Sequence, residues 1–178
     1  MTDPLASGTP LVIAAHGTRD KSGVAECRAL AERIAGKLPG IPVELGFVEL
    51  AEPGIPEAVR AAVAQAPKKP EEADGDEEPA AAVVVPLMFN TGGHVREDIP
   101  EAIDEGRGDA RVVYSAPLLP DVRMRKALSR RLSETLAAGE GREEWRSRDT
   151  AVVLVGRGAL VPDANASHYT LTLSLIHI

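Results

Sequence analysis

The feature that most constrains this chain is a short apolar run followed at once by an apolar helical stripe, a pairing that recurs along most of its length. Leu11-Val12-Ile13-Ala14-Ala15 is compact and partly β-branched, and after it Val24, Cys27, Leu30, Ile34 and Leu38 recur by threes and fours. That is the pattern of a strand and then an amphipathic helix. Pro39-Gly40 stops the helix, Val43 to Val48 reads as a second strand, and a second helix is predicted from about Pro53 to Ala66. Pro56 falls in its first turn, where the missing N–H does no harm. Ala82 to Leu87 is a third strand. The loop Met88 to Glu97 then enters a helix that Asp98 is expected to cap, with Pro100 in the first turn and Glu101 as the reciprocal partner of a capping box. Arg111 to Ser115 is a fourth strand, and Asp121 opens a helix reaching about Ala138.

Strands that alternate with helices at this spacing imply an α/β fold, a parallel four-stranded sheet flanked by helices and joined by right-handed crossovers. Within the expected first domain, residues 1–138, the stretch 67–80 interrupts the pattern as an acidic, mobile insertion. Residues 68 to 78 hold two lysines and six acidic residues and contribute −4 to the net charge of −7. A charged linker, 139–150, leads to an internal echo. Val152-Val153-Leu154-Val155-Gly156-Arg157-Gly158 aligns with Leu11-Val12-Ile13-Ala14-Ala15-His16-Gly17, so residues 151–178 read as the start of a second, truncated repeat. Arg157 stands there where His16 stands in the first copy. The closing Leu171 to Ile178 lacks a polar face and reads as the product of a truncated or aberrant reading frame.

Composition narrows the class of partner more than the function. An apolar share of 44% and a charged share of 26% are those of a globular chain, which admits an enzyme or a binding module alike. The net charge of −7 opposes non-specific attraction to nucleic acid or to an anionic membrane. Cys27 is the sole cysteine, no secretory signal opens the chain, and no apolar run approaches the roughly 20 residues of a membrane span. A reducing cytoplasm is the expected compartment. Cys27 itself lies on the apolar stripe of the first helix and is expected to be buried.

In parallel sheets, ligands bind beyond the carboxyl ends of the strands, and that rule selects residues. His16 follows strand one, Glu49 follows strand two, and His94 sits in the Gly92-Gly93 loop after strand three. Adjacent strands lie about 4.8 Å apart, so these side chains can reach a common point. Two imidazoles and a carboxylate suit divalent Fe, Co, Ni or Zn and leave coordination positions open. Each residue also has a plainer reading. A His-Gly after a strand is commonly a turn, and Glu49 lies in a region that Glu52 and Glu57 make simply acidic. His94 is harder to explain by packing, because two glycines precede it and let the backbone approach a ligand closely. Arg19, Lys21 and Arg96 read as anion contacts at the rim. His168 and His177 lie in the incomplete C-terminal part and are read as incidental.

Three blocks, from Leu11 to Arg19, from Gly46 to Pro53, and from Val85 to Pro100, resemble the sirohydrochlorin cobaltochelatase and ferrochelatase family over roughly Leu11 to Ala138. The resemblance implies a class II chelatase fold in which His16 and His94 match the metal-binding histidines and Glu49 the glutamate of a shared motif. It implies insertion of Co²⁺ or Fe²⁺ into a sirohydrochlorin-type tetrapyrrole, in cobalamin or sirohaem biosynthesis, with the metal as substrate and no organic cofactor; the same donors also accept Ni²⁺. Arg19, Lys21, Gly92, Gly93 and Arg96 would then meet the carboxylate-rich substrate. A single repeat that lacks its second half is expected to pair as a homodimer.

Two other readings share these residues. A non-catalytic carrier of metal or tetrapyrrole would use the same histidines without turnover. A histidine phosphatase is similar in its strand followed by His-Gly-x-Arg, but that group places an arginine before the histidine and this chain has Ala15.

Overall fold

The computed structural model describes residues 8–67, 79–137, 151, 153–156 and 162–174. The chain divides into two compact units, one of residues 1–88 with 93–117, the other of residues 89–92 with 118–178.

The first unit carries the sheet. β1 (Leu11–Ala15), β2 (Val43–Phe47), β3 (Ala82–Pro86) and β4 (Val112–Tyr114) are all parallel, in the order β2-β1-β3-β4. Leu11 is in register with both Val43 and Val83, and Ala15 ends level with Phe47. The connection from β2 to β3 crosses over β1, so the winding direction of the chain reverses between β1 and β3. Such a switch point opens a crevice at the carboxyl edge.

Successive residues of a strand face opposite sides, and the two faces have different covers. Val12 and Ala14 of β1 with Ala82 and Val84 of β3 pack against Ile55, Ala58, Val59 and Ala62 of α2 (Ile55–Ala64) and against Ile99 and Ile103 of α3 (Ile99–Arg107). Leu11, Ile13 and Val83 face the other way, onto Ala31 and Ile34 of α1 (Lys21–Ala35). Because β1 lies between two strands, all five of its residues are buried, and its run is uniformly apolar for that reason. Gly46 lets α2 approach β2, since a Cβ there would sit 2.8 Å from the Ile55 Cα.

Three expectations are corrected. Cys27 is half-buried rather than buried, and Ala31 alone among the residues of α1 is buried. Asp98 makes no capping bond and is itself in helical conformation, because a π-helical turn, His94–Asp98, runs straight into α3. No strand forms over 153–156, where Val153 and Val155 are 81% and 85% exposed. A short apolar stretch has no reason to extend as a strand without a neighbour to satisfy its backbone.

In the second unit, Asp121 opens α4 (Val122–Ala137) as expected, its Oδ1 accepting from the Arg123 N–H at 2.7 Å. The Arg123 guanidinium bonds the same carboxylate and holds its pKa down at about 2. α5 (Pro162–Ser174) contains most of the described C-terminal residues, with Leu171 buried. Arg157, residues 175–178, the linker 139–150 and most of the acidic insertion lie outside the described residues.

Candidate metal centre

The carboxyl edge of the sheet is where chemistry-bearing side chains meet. β1 ends at Ala15, and the chain continues beside β2: the Val48 N–H donates to the Ala15 carbonyl at 2.9 Å and the Glu49 N–H to that of His16 at 3.1 Å. This extension carries His16 and Glu49 past the sheet as neighbours. Gly17 makes it possible. Its φ is +91°, and a Cβ there would lie 1.8 Å from the Glu49 carbonyl oxygen, so only glycine fits.

His94 arrives from the other side of the switch point, on the π-helical turn after β3. The Ile99 N–H closes this turn on the His94 carbonyl, five residues back. Pro100 has no N–H to offer the next carbonyl, that of Val95, which is instead met by the Tyr114 hydroxyl at 2.9 Å. Burial pushes the Tyr114 phenol up to about 12, so it stays a donor through the neutral range.

Among the described residues, His16, Glu49 and His94 each offer a ligand atom, and these atoms lie within 4.8 Å of one another. The imidazole rings meet edge to face with centroids 4.6 Å apart. His16 Nδ1 lies 3.9 Å from Glu49 Oε1, and the two side chains are 41% and 50% exposed. Two nitrogens and one oxygen at these separations could hold a divalent transition ion, and all three side chains are partly exposed.

The remaining sequence candidates lie around this edge or on the loop after β3. Arg19 and Lys21 are exposed around the start of α1, flanking Asp20, whose side chain caps the helix. Arg96 is exposed on the turn that carries His94. Gly92 and Gly93 are not required by the fold, for a Cβ on either meets no atom within 4 Å. Reading the sequence missed Asp98 as a site residue: its Oδ2 lies 2.5 Å from His94 Nδ1. Leu50, beside Glu49, was also missed; it is 47% exposed and has a φ of +64°, a region that non-glycine residues seldom occupy. The histidine four residues before an aspartate was the visible signal for the first, and nothing in the residue type signalled the second.

Comparison with known proteins decides the family. The CbiX family model matches residues 10–135. The chain belongs to the CbiX family. A sirohydrochlorin ferrochelatase of Priestia megaterium is 31% identical over 151 residues, covering 83% of this chain and 49% of its own length. The chain thus spans between about two fifths and one half of the length of the first curated relatives it matches. A sirohydrochlorin cobaltochelatase of Sulfolobus acidocaldarius is 31% identical over 127 residues, which are 71% of this chain but 92% of that protein. Among solved structures, the sirohydrochlorin chelatase SirB from Bacillus subtilis subspecies spizizenii, in complex with cobalt, superposes with a TM-score of 0.70 at 26% identity, covering 93% of this chain and 61% of that one. CbiX membership and the four-stranded parallel sheet agree with the expected class II chelatase fold.

Proposed function

We propose that this CbiX-family chain is a sirohydrochlorin chelatase that inserts Co²⁺ or Fe²⁺ into a sirohydrochlorin-type tetrapyrrole, a step of cobalamin or sirohaem biosynthesis in the cytoplasm. The observation that carries this reading is the convergence of His16, Glu49 and His94 at the switch point of the sheet. Relatives named as ferrochelatase and cobaltochelatase support it, and the cobaltochelatase that this match covers almost entirely argues that one repeat is sufficient.

The chemistry follows from the donors. The incoming ion must shed water and then pass to four ring nitrogens, and two pyrrole protons must leave. Neutral imidazoles hold the ion without adding charge, and three protein donors leave positions open towards the macrocycle. Glu49, half exposed and 3.9 Å from His16, is placed to accept a released proton. The exposed Arg19, Lys21 and Arg96 would orient the substrate carboxylates by charge-assisted hydrogen bonds. Gly92 and Gly93, whose missing Cβ atoms would meet only open space, would let the macrocycle approach the backbone.

Residues 139–178 are proposed to be dispensable for this chemistry. Two copies pairing would shelter the half-exposed donors, and sedimentation of the purified chain would show that homodimer. The decisive assay follows the absorption spectrum of sirohydrochlorin with Co²⁺ or Fe²⁺, with and without protein. Accelerated conversion to the metallated spectrum is expected. Binding of the tetrapyrrole without acceleration would instead favour a carrier.

A further inference from the structure

Asp98 stands where α3 begins, yet its side chain does not cap that helix. That side chain is half exposed, and the helix continues unbroken from the π-helical turn. Its Oδ2 faces His94 Nδ1 at 2.5 Å. An ionised carboxylate only accepts hydrogen bonds, so this contact places the ring proton on Nδ1 and leaves the Nε2 lone pair open. That is the tautomer a metal-ligating histidine needs. His16 has no carboxylate so close, Glu49 Oε1 being 3.9 Å from its Nδ1. Its Nδ1 lies 3.2 Å from the Gly17 carbonyl oxygen, also an acceptor but neutral and more distant. The two imidazoles therefore have unequal support at Nδ1, and the closer carboxylate does more to raise an imidazole's basicity towards metal.

We propose that Asp98 is a positioning residue that fixes His94 as the Nδ1–H tautomer and makes it the stronger of the two imidazole ligands. This rests on the reading that His94 holds the metal. π-Helical turns recur at functional sites, and here the turn brings residues four apart into side-chain contact, while Pro100 and Tyr114 stabilise its irregular backbone.

The test is a titration of the full chain with Co²⁺, followed by the ion's visible absorption, for wild type, Asp98→Ala, Asp98→Asn, His94→Ala and the double variant Asp98→Ala/His94→Ala. Thermal unfolding checks that each is folded. Asp98→Ala is expected to weaken Co²⁺ binding by roughly 10- to 100-fold, the usual effect of removing such a partner. Asp98→Asn is the sharper variant. It preserves size, but its amide can donate to Nδ1 and hold the ring in the wrong tautomer, so it should bind no better than Asp98→Ala. A space-filling role would leave Asp98→Asn close to wild type and overturn the proposal. Once His94 is gone, Asp98→Ala should have no further effect; an undiminished loss there would equally overturn it. Should wild type bind no Co²⁺, or His94→Ala bind it as wild type does, the metal-site reading itself falls and takes this proposal with it.

Discussion

The two halves of the candidate metal centre are built by different means. His16 and Glu49 are placed by backbone: the ladder between β1 and β2 runs on past the sheet, and Gly17 allows a contact that no other residue could tolerate. His94 is placed by side chains, with Asp98 at its ring and Tyr114 at the carbonyl of the following residue. A backbone-built half fails abruptly when it is altered, whereas a side-chain-built half weakens by degrees. On the proposed function, a site that holds an ion and gives it up would have one fixed ligand and one whose strength is adjustable.

Gly17→Ala should break that contrast most severely. Its Cβ would collide with the Glu49 carbonyl and its φ would be strained, so a loss of about 3 kcal/mol or more is expected from urea unfolding. A loss under about 1 kcal/mol would show that the extension yields. His94→Ala and His16→Ala come next. Both side chains are more than a third exposed, so stability should change by no more than about 1 kcal/mol. Co²⁺ affinity should fall at least ~10-fold for each, and further for His94 if its carboxylate partner makes it the stronger ligand. Tyr114→Phe leaves the Val95 carbonyl without its donor and should cost about 1–2 kcal/mol. It also alters the alkaline limit. Because burial raises the folded phenol pKa to about 12, above the unfolded value of about 10, its contribution is complete below pH 10 and lost as pH rises through 12. Unfolding titrations should show this loss in wild type and not in Tyr114→Phe. Leu50→Gly should have the smallest effect and the opposite sign, relieving a left-handed φ and raising stability by at most about 1 kcal/mol.

Much of this arrangement was readable from residue order alone. The strands β1 to β3 announce themselves because they are flanked by Gly, Pro or charged residues and followed by helical periodicity. Parallel pairing then places His16, Glu49 and His94 at one edge without any knowledge of distance. Asp98 was misread for a definite reason. Asp-x-x-Glu before an apolar helix has the same appearance whether the helix begins there or one turn earlier, and the π-helical turn that decides the matter depends on tertiary contacts such as Tyr114 to Val95. Residues 153–156 fail in the opposite way. Their composition matches β1, but β1 is a strand because β2 and β3 flank it, and the described residues 153–156 pair with no strand.

The most direct test of the central claim is a crystal structure of the full chain grown with Co²⁺, its ion located by anomalous scattering at the cobalt edge. A peak about 2.1 Å from Nε2 of both His16 and His94, with a Glu49 oxygen in reach, is the expected result. A peak away from these three residues, or one bound through the Nδ1 atoms, would contradict it.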